Sequence, residues 1–98
     1  MEKQPAVYIL TNKPGGTLYT GVTSDLPKRT LQHRDKTFRK GFTTKYNLTM
    51  LVYFELFDDM YQAISREKQI KAGSRKSKIK LIEGANPGWR DLYQEILS

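Results

Sequence analysis

The chain has 98 residues, a formal net charge of +7 and no cysteine. This length suits one domain with a modest core, and the missing thiols exclude disulfides and thiolate metal centres. No apolar run is long enough to cross a bilayer, and Met1-Glu2-Lys3-Gln4-Pro5 holds no signal-peptide core, so the expected address is the cytoplasm.

Pro5 precedes a first strand over residues 6–10, and a second follows over 18–23. Between them, Lys13-Pro14-Gly15-Gly16-Thr17 reads as a hairpin loop. Alternation along the second strand puts Tyr19, Gly21 and Thr23 on one face, and Leu18, Thr20 and Val22 on the other. Ser24 or Asp25 offers an N-cap, and Pro27 sits in the first turn, where its missing N–H is harmless, so a helix is predicted over 26–35. Residues 36–48 are polar and without period, and read as a long loop that includes Lys40, Thr43 and Thr44.

Residues 50–57 are nearly all apolar and read as a buried central strand. Asp58 or Asp59 caps a helix over 60–72, with Asp59 and Gln62 spaced as a capping box and Gly73 as its stop. Ser74 opens a short basic helix to residue 82, which Gly84-Ala85-Asn86-Pro87-Gly88 should break. Trp89, Leu92, Tyr93 and Ile96 then repeat at helical spacing and predict one last apolar face. The order β-β-α-β-α-α-α predicts a small α/β sandwich in a single domain over 1–98. Its sheet should be three-stranded, mainly antiparallel and flanked by helices.

Certain side chains fit no simple packing role. Tyr8 and Tyr19 lie on strands expected to pair, so their rings can be neighbours. Arg29 and His33 share a helix face with Leu26, although a face turned to the domain should be apolar. Glu67 falls on the stripe of Met60, Ala63, Ile64 and Ile70. A carboxylate there needs a cation or a charge-assisted partner; the structural reading is an ion pair to Arg29 or a lysine. Asn86 before Pro87 reads first as a helix N-cap.

Residues 66–80 carry seven Lys or Arg against one Glu and no aromatic residue. A polyanionic partner is indicated, with nucleic acid first and a membrane surface disfavoured, because interfacial helices pair basic with aromatic faces. The plainer reading is a solvated face that aids solubility.

The tripeptides Ala6-Val7-Tyr8 and Tyr19-Thr20-Gly21 resemble the paired segments of the GIY-YIG nuclease family, with the first two positions of the first tripeptide differing. Residues 25–33 resemble that family's helix after the second tripeptide, and Arg66-Glu67-Lys68 resembles its metal-binding glutamate motif. Asn86-Pro87-Gly88-Trp89-Arg90-Asp91-Leu92 is similar to the ending of its small stand-alone members.

The resemblance covers nearly the whole chain and implies an endonuclease that hydrolyses phosphodiester bonds with one Mg²⁺ or Mn²⁺ ion. By it, Glu67 holds the metal, Arg29 the developing charge, Tyr8 and Tyr19 act as base and partner, and His33 orients one of them. Gly21 and Asn86 are secondary site residues. Lys45, Arg66, Lys68, Lys71, Arg75, Lys76 and Lys78 are expected nucleic-acid contacts. DNA is the expected substrate, bound with little sequence preference, in repair or recombination, with targeting left to a protein partner or a DNA structure. The alternative is a non-catalytic nucleic-acid-binding module that retains the fold.

Overall fold

The computed structural model describes residues 4–35 and 45–97. Its elements are β1 (Ala6–Thr11), β2 (Leu18–Thr23), α1 (Leu26–Arg34), β3 (Met50–Leu56), α2 (Met60–Ala72), α3 (Arg75–Ala85) and α4 (Tyr93–Leu97). The sheet order is β2-β1-β3, with β1 antiparallel to both neighbours. The α/β sandwich and its element order are those expected. Most of the predicted loop over 36–48, with Lys40, Thr43 and Thr44, lies outside the described residues. Among the described residues, no helix is long and apolar enough to cross a membrane.

Side-chain alternation sorts the strands into two cores. Val7, Ile9 and Val52 face Ala63 and Ile70 of α2 and Ile82 of α3. Ala6, Tyr8, Leu10 and Leu51 face the other way, toward Leu26, Leu48 and Leu92. A bulge helps this sorting. Ile9 pairs with Tyr53 and Leu10 with Leu51, so Val52 is an extra residue on β3.

The caps follow the local sequence. Asp25 accepts from the Lys28 N–H at 3.3 Å, Asp59 from Gln62 at 2.8 Å and Ser74 from Ser77 at 3.1 Å. Gly73 ends α2 with φ −79°, so the stop does not use a left-handed glycine.

Three expectations are corrected. The apolar strand β3 is an edge strand, and β1 is the central one. The edge of β3 is nonetheless covered. The Leu92 N–H donates to the Leu51 carbonyl at 2.7 Å, and the Asn86 amide donates to the Val52 carbonyl at 3.1 Å. A strand shielded on both faces, and along its edge at Leu51 and Val52, carries the composition of a central one.

Next, α3 runs through Gly84 to Ala85, and Asn86 is its C-cap rather than an N-cap. Helical hydrogen bonding simply outlasts the modest penalty of one glycine. Last, Trp89 is not helical; its φ is 52°. Trp89 packs with Val52 and Ile82, whereas Leu92 and Ile96 pack with Tyr8 and Leu10. The chain therefore crosses the edge of β3 between them, and helical spacing there was coincidental.

Candidate active site

The site begins with the hairpin register. Tyr8 pairs with Gly21 across β1 and β2, and Leu10 pairs with Tyr19. A methyl group at Gly21 would stand 2.5 Å from both Cζ and Oη of Tyr8 and 2.9 Å from Cε2 of Tyr19. Glycine is needed here for space, because the Tyr8 ring lies across the backbone of its neighbour.

Helix α1 adds the third ring. Its buried residues are Leu26, Thr30 and His33. The Thr30 hydroxyl donates to the Leu26 carbonyl at 2.9 Å, so this polar side chain is satisfied within its own helix. His33 points into the sheet, with Nε2 3.2 Å from the Tyr8 hydroxyl. The three rings form a near-equilateral cluster. Their centroids are 6.3 Å apart for Tyr8–Tyr19, 5.9 Å for Tyr8–His33 and 5.8 Å for Tyr19–His33.

Arg29 and Glu67 both act electrostatically on the Tyr8 hydroxyl. Burial chiefly holds the Tyr8 phenol well above its ordinary range, with Tyr19 reinforcing it; Arg29 pulls the other way and Glu67 adds to the rise. Burial and then Arg29 push His33 down to about 4, so it is neutral at physiological pH. Two neutral hydrogen-bonding rings thus face each other under the electrostatic influence of one guanidinium and one carboxylate.

Glu67 is only 14% exposed, and its Oε2 meets Lys71 Nζ at 2.9 Å. The lysine pair weighed as a structural reading therefore exists, alongside the reach toward Tyr8. The stripe differs from the expected one, since Ile64 is exposed and Ala63 and Ile70 are the buried members. Around the helix, Arg66 and Glu67 flank that buried line on opposite sides. The donor set for a cation is sparse. No group of three His, Asp or Glu side chains gathers among the described residues. A lone, mostly buried carboxylate fits Mg²⁺, which keeps most of its coordination for water and phosphate oxygens.

The other predicted residues scatter. Asn86 is buried, but its amide donates to the Val52 and Arg90 carbonyls and its oxygen accepts from the Arg90 N–H. Its polar atoms are spent pinning the chain to β3. The Arg75 guanidinium donates to the Gly15 and Gly16 carbonyls at 2.7 Å, and Lys78 Nζ donates to the Gly73 carbonyl at 2.7 Å. Lys45 lies 5.4 Å over the Tyr46 ring. Lys68 and Lys76 are exposed on α2 and α3.

A cluster escaped the sequence reading. Arg66 grips Glu55 through Nε at 3.1 Å and Nη2 at 3.0 Å and donates to Gln69 at 2.7 Å, while the Tyr53 hydroxyl donates to Glu55. Burial raises the Glu55 carboxyl, but hydrogen bonds from Arg66 and Tyr53 outweigh it and leave the group below its usual range. Burial, then the bond to Glu55, pushes Tyr53 up to about 12. Alternation along β3 does put Tyr53 and Glu55 on one face, which was the available signal. Arg66 was expected to contact nucleic acid; here it ties α2 to β3.

Comparison with known proteins agrees with this geometry. The family of GIY-YIG catalytic domains matches residues 4–80. A UPF0213 protein of Staphylococcus saprophyticus is 41% identical over 76 residues, covering 78% of this chain and 90% of its own length. A UPF0213 protein of Clostridium perfringens is 42% identical over 90 residues, covering 92% of this chain and 95% of its own. No solved structure gives a significant match.

Proposed function

Because the chain belongs to the GIY-YIG catalytic domain family, a nuclease-type domain, we propose that it cleaves nucleic-acid phosphodiester bonds, DNA foremost, with one divalent cation at Glu67. The observation that carries this reading is the cluster of Tyr8, Tyr19 and His33, with Arg29 and Glu67 both acting on the Tyr8 hydroxyl. A packing cluster has no use for a guanidinium and a carboxylate that act on its buried hydroxyl.

In this mechanism Tyr8 first gives up its own proton to solvent, and the resulting phenolate, partnered by Tyr19, receives the proton of a water that attacks phosphorus in line. Neutral His33 holds Tyr8 by the 3.2 Å contact. Tyr8 is held protonated in the free protein, and Glu67 contributes to that. Neutralising Glu67 removes one influence that opposes ionisation, and Arg29 then favours it. Arg29 also supplies a fork of donors to the charge that builds on the phosphoryl oxygens. A divalent cation held by Glu67 would supply Lewis-acid polarisation of the phosphate and charge stabilisation of the leaving group.

A screen of duplex, flap, branched and single-stranded DNA and RNA, with Mg²⁺ or Mn²⁺, tests the reading. Metal-dependent nicking that Glu67→Gln abolishes supports it. Salt-sensitive binding with no cleavage of any substrate selects the non-catalytic binding module instead.

A further inference from the structure

We propose that Asp91 is a positioning residue that fixes the last turn of α1 and thereby aims His33 at Tyr8. Residues 81–97 lie beyond the stretch matched by the family, so nothing in that match gives Asp91 a role. Yet Asp91 joins three separate elements. One carboxylate oxygen forms an ion pair with Arg34 of α1. The other accepts from the Leu51 N–H of β3 at 3.2 Å and from the Tyr93 N–H of α4 at 3.1 Å. The Arg34 guanidinium also lies 4.1 Å over the Tyr93 ring.

Asp91 is itself held in place. Asn86 and Leu92, on either side of it, bond to the carbonyls of Val52 and Leu51. A half-exposed ion pair contributes little stability by itself. Its consequence here is directional. Arg34 directly follows His33, and successive residues on a helix are set about 100° apart. Fixing the azimuth of Arg34 therefore fixes that of His33. Helix α1 has only nine residues, too few to hold its far end without tertiary contacts. A hydrogen bond of 3.2 Å does not survive a displacement of about 1 Å.

The test uses the chain's single histidine, whose ring C–H resonance is unambiguous. In the wild type that resonance should stay flat from pH 8 down to about 5. In Asp91→Asn the titration should move up by about half a pH unit or more, because a loosened ring gains water. Loss of a negative charge alone lowers the value, so an upward shift separates repositioning from simple electrostatics. Arg34→Lys keeps the charge, loses the fork and the stacked plane, and should shift the same way. A titration midpoint that is unchanged or lowered in both folded variants overturns the proposal and leaves Asp91 a simple clip. Should Asp91→Asn fail to fold, Arg34→Lys decides by the same criterion. A second readout rests on the nuclease reading: kcat falls about tenfold with KM unchanged. The resonance decides the positioning role even if no cleavage is found.

Discussion

The Tyr8 hydroxyl and His33 Nε2 meet at 3.2 Å across 25 residues of sequence, joining the central strand to the last turn of α1. The imidazole in this contact is neutral, because burial and then Arg29 disfavour the imidazolium. His33 ionises near 6.5 in an unfolded chain and near 4 in the fold. Between those values the unfolded chain binds the extra proton, so the His33 contribution to stability falls as pH drops from 6.5 to about 4 and levels off below. The expected loss is on the order of 2 kcal/mol. Urea denaturation at pH 7 and 4.5 measures it, and His33→Gln should show a drop smaller by that amount. Equal drops in the two proteins would show that His33 is not held neutral.

Glu67→Gln should leave the protein folded and abolish metal-dependent cleavage. The amide keeps the shape but not the charge that a hard cation requires. Losing the pair with Lys71 should cost only about 0.3–0.5 kcal/mol, the scale of a helical i,i+4 pair. Cleavage kinetics and thermal melts are read together. Wild-type cleavage by the variant sinks the metal assignment, and global unfolding points to a structural carboxylate.

Gly21→Ala should be far more harmful than an exposed glycine substitution. The added methyl would stand 2.5 Å from the Tyr8 hydroxyl, and β-sheet pairing on that side prevents the strands from parting. A destabilisation of about 1–3 kcal/mol is expected from overpacking, with loss of the ring cluster. Gly84→Ala, in open space on α3, is the control and should be neutral or stabilising. If both substitutions behave alike in denaturation curves, the close approach has been misread.

The basic face should divide into two classes. Lys68 and Lys76 are exposed, and replacing each with alanine should reduce the salt slope of nucleic-acid binding by about one unit. Arg75 is anchored to the hairpin carbonyls, so Arg75→Ala should loosen the loop over residues 12–17 with less effect on that slope. Titrations at several salt concentrations, with amide exchange of the hairpin, distinguish them. An unchanged slope for the lysine pair would put the binding face elsewhere.

Asn86→Ala should destabilise by about 2–3 kcal/mol, because it strands the buried Val52 carbonyl and the part-buried Arg90 groups that the side chain satisfies. Chemical denaturation checks this. A change within about 0.5 kcal/mol, the range of ordinary surface substitutions, would mean that water replaces the amide.

Local pattern determined what depends on neighbours in the chain. Alternation and turn residues set β1, β2 and their register, and so brought Tyr8 beside Tyr19. Caps at Asp25, Asp59 and Ser74 started the helices where single side chains satisfy free N–H groups. Helical spacing put Arg29 and His33 on one face. Tertiary structure decided the rest. The crossing that sends Trp89 to one core and Leu92 to the other, the edge position of β3, the clamp of Arg66 on Glu55 and the tie from Asp91 to Arg34 join residues far apart in sequence. Each such contact contributes only about 1 kcal/mol and leaves no periodic trace in its own segment. They form because packing two helices on each face of a small sheet exhausts the other arrangements, which no single stretch of the chain encodes.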